Sequence, residues 1–458
     1  MEKEKHNRSS FSGKIGFVLS AAGASVGLGN IWRFPYLAAK YGGGIFLLIY
    51  ILLALTFGYT MIVAESALGR MTRKSPVGAF KSFGKKAGWL SFGGWINAII
   101  PVLIVPYYSV IGGWVIKYLV EYHKGNSTKL ATDGYFSEFI SNGTSTEICF
   151  VIFCMITLII IYAGVRNGIE RVSKFMMPIL VVLSVIIAIY SVTRPGAMAG
   201  VKYFLVPNPK NFSWMTVVTA MGQMFYSLSI AMGILVTFGS YMKKDTSIED
   251  STRNVEVFDT AIAIMAGLMI IPAVFAFSGG DPDTLQAGPS LMFITIPKVF
   301  ANMGFGTAVG IIFFLLVLFA AITSSIALTE SAVSTVEDEI GWGRKKATVI
   351  IGLIMIILGT LSCLGYGPLA FVKIIGMQFL DFFDFLTNSV MMPIAALMTS
   401  LFVTKVVGID RMEEEIRYGE SKFRRKKIFV VMIKYLCPIF AIIILARSVA
   451  NAFGWISM

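Results

Sequence analysis

The sequence predicts an all-α, multi-pass membrane protein of about eleven transmembrane helices, the first ten forming two five-helix groups whose leading helices are broken. Three observations predict it. The 458 residues are 56% hydrophobic and only 14% charged, with a mean hydropathy of +0.76, whereas a soluble domain is about 45–50% apolar and about 25% charged. About eleven apolar runs reach the roughly 20 residues that a bilayer crossing needs. Two of these runs, in corresponding positions, are interrupted by glycine and polar residues.

The expected spans are 15–38, 43–69, 88–122, 148–164, 170–192, 214–241, 256–278, 304–335, 347–363, 367–403 and 428–450. Several exceed one crossing, which tilt or protrusion absorbs. They divide the chain into residues 1–192, an N-terminal segment and first repeat of five spans, 193–403, the second repeat, and 404–458, a cytoplasmic loop and the eleventh span. Gly23-Ala24-Ser25-Val26-Gly27-Leu28-Gly29-Asn30 interrupts the first span, and Tyr226-Ser227-Leu228-Ser229-Ile230-Ala231-Met232-Gly233 interrupts the sixth. Either segment alone reads as close helix packing through small residues. The pair, in matching places and with added polar side chains, points to an inverted-repeat transporter with its site at the two breaks.

Charge decides orientation. The chain carries 39 Lys+Arg against 26 Asp+Glu, a net +13. Lys3, Lys5, Arg8 and Lys14 precede the first span, Arg70, Arg73, Lys74, Lys81, Lys85 and Lys86 follow the second, and Arg424, Arg425, Lys426 and Lys427 precede the eleventh. These belong in the cytoplasm, which puts the N-terminus inside and, with an odd number of spans, the C-terminus outside. A nucleic-acid role loses its footing, because the basic residues follow topology and form no basic soluble domain. Cys149, Cys154, Cys363 and Cys437 lie in or beside apolar runs and read as packing residues. The first apolar run ends at no small-residue cleavage site, so the chain is read as unprocessed.

A broken membrane helix frees backbone groups that only protein or ligand can answer. Freed carbonyls suit a hard cation such as sodium, and freed N–H groups at a half-helix N-terminus suit a carboxylate. Thr323-Ser324-Ser325 in the eighth span reads either as extra oxygen ligands or as hydroxyls bonded one turn back. Asp259 in the seventh marks an ion pathway or else lies near the interface. Arg33, Asp381 and Asp384 are further charges within apolar runs, and a latch or a structural pair are the two readings of the opposite signs.

Gly27-Leu28-Gly29-Asn30-Ile31-Trp32-Arg33-Phe34-Pro35-Tyr36, followed by Gly42-Gly43-Gly44 and Glu65-Ser66-Ala67-Leu68-Gly69-Arg70, resembles the neurotransmitter:sodium symporter family over spans one to ten. The resemblance implies the LeuT-type fold, a 5+5 inverted repeat, in an eleven-span bacterial member of the inner (cell) membrane. It implies two sodium ions and no organic cofactor. One sodium is expected on the carbonyls of Gly23, Val26 and Ala320 and the hydroxyls of Thr323 and Ser324. The other is expected on Ser25, Asn30, Ser227 and Asp259 with the substrate carboxylate. That carboxylate would also meet the N–H groups of Leu28 and Gly29 and the Tyr108 hydroxyl, and the ammonium would meet Ser25, Tyr226, Ser227 and Ser229. Ile104, Tyr108, Tyr226, Met232 and Leu328 would line the side-chain pocket. Arg33 and Asp384 with Tyr226 resemble the outer gate, and Arg8, Phe11, Ser240, Tyr241 and Asp338 the inner one. Gly168 and Pro178 fit the family's Gly-x9-Pro spacing, linked to unwinding of the fifth span.

Departures sharpen the expectation. Gly27 stands where monoamine transporters of the family carry Asp, so the substrate brings its own carboxylate and is an amino acid rather than an amine. Asp259 stands where many relatives have Asn, a fixed charge that could replace chloride. Ser227, Phe11 and Ala231 replace a more usual Thr, Trp and Gly, and Ala231 restricts the backbone there. The expected function is sodium-coupled import of a neutral, apolar or aromatic amino acid by alternating access, with the bilayer as surroundings and no obligate protein partner. The rivals are a proton-coupled permease of the same fold, with Asp259 as carrier, and a transporter-like sensor or channel. An enzyme is weaker: His6 and His123 lie outside the spans, and no Walker loop occurs.

Overall fold

The structure, a computed structural model, describes residues 9–279, 288–418 and 422–452. Among them, nine helices are long and apolar enough to cross a membrane: Gly44–Thr72, Gly88–His123, Gly143–Tyr162, Val165–Val192, Ile248–Ser278, Gly306–Ile340, Arg344–Leu364, Phe379–Val407 and Lys426–Ala450. They are spans two to five and seven to eleven. Span one is a pair, Lys14–Ser25 and Gly29–Lys40, bent by 53°. Span six is likewise two helices, Trp214–Ser227 and Ile234–Ser240, separated by residues 228–233.

Both breaks arise where the sequence stops supporting an α-helix. Val26 leaves the helical region (φ −77°, ψ 92°) after its N–H bonds Ala22, and the chain resumes in a wider turn at Gly29–Arg33 before Pro35 opens the next helix. In span six, Ser229, Ala231 and Gly233 adopt positive φ of 53°, 59° and 71°. Left-handed backbone costs a non-glycine residue roughly 1–2 kcal/mol, so the surroundings must hold Ser229 and Ala231 there. Glu65 of span two does part of this, its carboxylate accepting the Ala231 N–H at 2.8 Å.

Span eight packs along span three, the second half of span six along span two, and span five along span seven, with the first half of span one against spans five, seven and eight. The two breaks therefore face each other at the centre of the bundle. Basic loops expected on one side do meet on one face. Arg70 at the end of span two pairs with Glu415 at 2.6 Å, Arg425 with Glu256 at 3.2 Å, Lys14 with Asp250 at 3.6 Å, and Lys81 with Glu339.

Two boundaries differ most from expectation. Span seven begins at Ile248 rather than 256, which carries Asp259 well inside the helix. Span ten begins at Phe379 rather than 367, because Ile375 and Gly376 take positive φ and the chain turns there, with a bridge between Ile374 and Met377. Asp381 and Asp384 thus sit in the first turns of span ten, at the mouth of a cavity rather than deep in a helix.

Candidate functional site

A small cavity of about 30 Å³ lies between the breaks, lined by Ala24, Ser25, Gly27, Leu28, Gly29, Asn30, Ile104, Tyr108, Tyr226, Ser229, Met232, Ser324 and Leu328. Nine of the residues expected to bind substrate are among them: Ser25, Leu28, Gly29, Ile104, Tyr108, Tyr226, Ser229, Met232 and Leu328. The tenth, Ser227, lies behind the wall. The floor is backbone and hydroxyl. The Leu28 N–H donates to the Tyr108 hydroxyl at 3.3 Å, the Gly27 N–H to Asn30 Oδ1 at 3.3 Å, and the Ser229 hydroxyl to the Ala24 carbonyl at 3.0 Å. Ile104, Met232 and Leu328 supply the apolar wall, and among the described residues no charged side chain lines the cavity.

The glycines of span one are needed here for space. A Cβ on Gly27 would lie 2.7 Å from Ser324 Oγ and 3.1 Å from the Tyr108 hydroxyl, and one on Gly29 would run into the Tyr226 ring.

Behind the cavity, Asn30, Tyr50, Ser227 and Asp259 form a fully buried polar knot drawn from spans one, two, six and seven. Asp259 is 0% exposed. Its Oδ1 accepts from Asn30 Nδ2 and from Ser227 Oγ, both at 2.8 Å, and its Oδ2 from the Tyr50 hydroxyl at 2.8 Å. Three neutral donors thus answer one carboxylate, which an apolar interior would otherwise penalise heavily. Asn30, Ser227 and Asp259 were expected together. Tyr50 was not, since a single tyrosine in a Leu/Ile-rich run carries no pattern.

On the opposite side, Ser324 Oγ donates toward the carbonyls of Gly23 at 3.2 Å and Val26 at 3.4 Å, while the Thr323 hydroxyl bonds the Ala320 carbonyl at 3.1 Å and that of Phe319 at 3.0 Å. The five residues expected at one sodium are brought together. Oxygen is the only donor type they offer, as a hard cation requires.

Above the cavity opens a second, larger one of about 530 Å³, whose lining includes Arg33, Tyr107, Tyr226, Asp381, Asp384 and Arg447. Tyr226 lines both cavities and is the partition between them. The Arg33 guanidinium stacks on the Tyr226 ring, 5.2 Å from its centroid, and no ion pair joins Arg33 to Asp384 among the described residues. Asp384 instead accepts from the Tyr107 hydroxyl at 3.2 Å and from Asn388 at 2.5 Å. Among the described residues, this end opens into that cavity.

The other end is packed shut. Phe11 is buried, its N–H donates to the Tyr241 carbonyl at 3.1 Å, and its ring meets those of Phe17, Phe238 and Tyr241 edge-on. The Tyr241 hydroxyl donates to Glu330 at 2.6 Å, which in turn holds Arg344. The Ser240 hydroxyl caps back onto the Thr237 carbonyl, and Asp338 accepts the Ser75 N–H at 2.6 Å. Arg8 lies outside the described residues. Gly168 sits in the turn Val165–Glu170 against the Ile160 carbonyl, and Pro178 lies within the continuous helix Arg171–Val192. The unwinding between them that the resemblance implies is not seen here. Glu65, Tyr107, Gln223 and Glu330 are site residues the sequence reading gave no role. Gln223 donates to the Gly29 carbonyl at 3.1 Å and so braces the first break from span six.

Two facing broken helices, a buried site between them and one open end define a multi-pass membrane transporter rather than an enzyme. The family model of the Sodium:neurotransmitter symporter family matches residues 8–132 and 121–454, and the chain belongs to that family. It is 36% identical over 440 residues to an uncharacterised sodium-dependent transporter, YhdH, of Bacillus subtilis, covering 95% of this chain and 96% of that one. It is 26% identical over 483 residues to the sodium- and chloride-dependent GABA transporter 2 of Homo sapiens, covering 91% and 76%. The crystal structure of MhsT in complex with L-phenylalanine superposes with a TM-score of 0.86 at 34% identity, covering 96% of this chain and all of that one. The fold is thus the LeuT type that the sequence predicts.

Proposed function

We propose that this chain is a sodium-driven symporter that imports a neutral, apolar or aromatic amino acid by alternating access across a bacterial inner membrane, with its N-terminus cytoplasmic and its C-terminus outside. The observation that carries the reading is the central cavity, in which freed N–H groups and hydroxyls form the floor and apolar side chains the wall. The floor suits a carboxylate and an ammonium. The wall offers an ionised side chain no counter-charge. Gly27 leaves no space for an acidic side chain of the protein's own, which favours a substrate that brings its carboxylate. MhsT, the structural relative, was solved with L-phenylalanine.

Two sodium ions are assigned by this reading. One sits on Gly23, Val26, Ala320, Thr323 and Ser324, and the other on Ser25, Asn30, Ser227 and Asp259 together with the substrate carboxylate. Because that carboxylate touches the second ion, sodium and substrate raise each other's affinity by the same factor. At 100 mV each inward charge releases about 2.3 kcal/mol. The cavity of about 30 Å³ has room for a few water molecules, so a bulky side chain enters by displacing Met232, whose flexible thioether reshapes readily. Asp259 supplies a fixed negative charge beside the second ion, and transport proceeds without chloride. Arg33 and Asp384 close the outer gate over Tyr226, while Arg8, Phe11, Ser240, Tyr241 and Asp338 form the inner one. Unwinding between Gly168 and Pro178 lets water reach the first ion from inside.

The test is a panel of labelled amino acids offered to proteoliposomes with and without an inward sodium gradient. Uptake of neutral amino acids only with the gradient supports the reading. Equal uptake in choline, or uptake driven by a pH gradient without sodium, overturns it in favour of the proton-coupled rival.

A further inference from the structure

The outer cavity holds a relationship that the gate reading, on which this inference rests, does not use. Asp384 presents one carboxylate oxygen to two donors on different helices. Tyr107 of span three donates to Oδ1 at 3.2 Å, and Asn388, one turn along span ten, donates to the same atom at 2.5 Å. Asn388 also reaches the Tyr107 oxygen at 3.3 Å, and Thr387 lies 3.4 Å from it, so the hydroxyl is fixed from two sides. Tyr107 is 1% exposed, its ring packed within the protein. Asp384 Oδ2 accepts no hydrogen bond among the described residues, and the carboxylate opens onto the cavity that Arg33 also lines.

We propose that Tyr107 is a positioning residue for the outer gate, anchoring one oxygen of Asp384 so that the other is held toward Arg33 before the gate closes. A carboxylate accepts about four hydrogen bonds, so Asp384 keeps both anchors while Arg33 leaves the Tyr226 ring and pairs with Oδ2. The ordering cost of the closed gate is then largely met in the open one. The placement of Tyr107 gives this a functional reach. The next residue, Tyr108, accepts the Leu28 N–H on the floor of the central cavity, and successive residues on a helix point about 100° apart. A single turn of span three therefore touches the site floor with one tyrosine and the gate acid with the other.

The experiment measures release of labelled L-phenylalanine, with L-leucine in parallel, from purified protein in saturating sodium after a chase. The Tyr107→Phe variant removes one hydroxyl without changing ring packing. Release is expected to quicken roughly five- to tenfold, the effect of weakening a hydrogen bond to a charged acceptor. The same substitution in an Asp384→Asn background is expected to add nothing, and Asn388→Ala alone is expected to act in the same direction. Unchanged release in Tyr107→Phe, or an equal acceleration in the Asp384→Asn background, overturns the proposal, the latter assigning Tyr107 a packing role only. Wild-type protein that binds neither amino acid overturns the amino-acid reading itself, which is a separate failure.

Discussion

Asn30 and Asp259 meet at 2.8 Å across spans one and seven, the amide donating to a carboxylate that lies wholly inside the protein. The bond ties the first helix break to the only acid in the polar knot behind the central cavity. Asp259 is therefore where the protein's negative charge and its backbone break are joined.

Replacing that charge should be felt in ion coupling before it is felt in folding. Asp259→Asn keeps the size but removes an anion that three donors address, and hydrogen bonds to charged groups contribute about 1.5–3 kcal/mol each. The half-saturating sodium concentration for uptake should rise at least about tenfold. Wild-type uptake should be unchanged when gluconate replaces chloride, and the variant should become chloride-sensitive. Sodium titrations in both salts check this.

Gly27 is a steric prediction. Gly27→Asp places a Cβ 2.7 Å from Ser324 Oγ and a carboxylate beyond it, and overpacking typically costs about 1–3 kcal/mol. Uptake should fall below detection while the protein remains monodisperse in size-exclusion chromatography, because the disturbed contacts are those of the cavity and not of the surrounding helices.

Strain at Ala231 can be released. Its φ of 59° is costly for alanine and free for glycine. Ala231→Gly should stabilise the detergent-solubilised protein by about 1 kcal/mol, read as a higher thermal unfolding midpoint. Glu65→Ala should act oppositely, because it leaves the Ala231 N–H unanswered at a loss of about 1–3 kcal/mol, whereas Glu65→Gln should keep most of the stability.

Arg70 is fully buried and pairs with Glu415 through Nε at 2.6 Å. Glu415→Ala strands that guanidinium, and breaking a buried pair from one side costs about 3–5 kcal/mol. The bonds that remain, to the Thr246 carbonyl at 2.6 Å and to the main-chain carbonyl of residue 415, bring no counter-charge. Thermal unfolding should show the largest loss of any variant named here.

Much of this was legible beforehand, for particular reasons. Span three was expected at 88–122 and runs Gly88–His123, since a predominantly apolar run of that length has few other solutions. The breaks were legible because glycine, serine and asparagine stand where lipid-facing helix would carry leucine. Span ten was drawn too long because Leu369, Phe371 and Ile374 look like membrane helix, while the turn is set by the conformation of Ile375 and Gly376. The cavity wall came from family resemblance rather than from pattern, as Ile104, Met232 and Leu328 are ordinary apolar residues until the fold converges them. Tyr50, Tyr107 and Glu65 escaped for the reverse reason, their partners being far away in sequence at Asp259, Asp384 and Ala231.

The floor of the central cavity is built largely from main-chain atoms at the breaks, and these are beyond the reach of point substitution. The wall, by contrast, is three exchangeable side chains. Mutation can therefore redraw the repertoire of cargo at Ile104, Met232 and Leu328 while leaving the electrical machinery untouched, so paralogues of this scaffold can diversify in diet without relearning how to be powered.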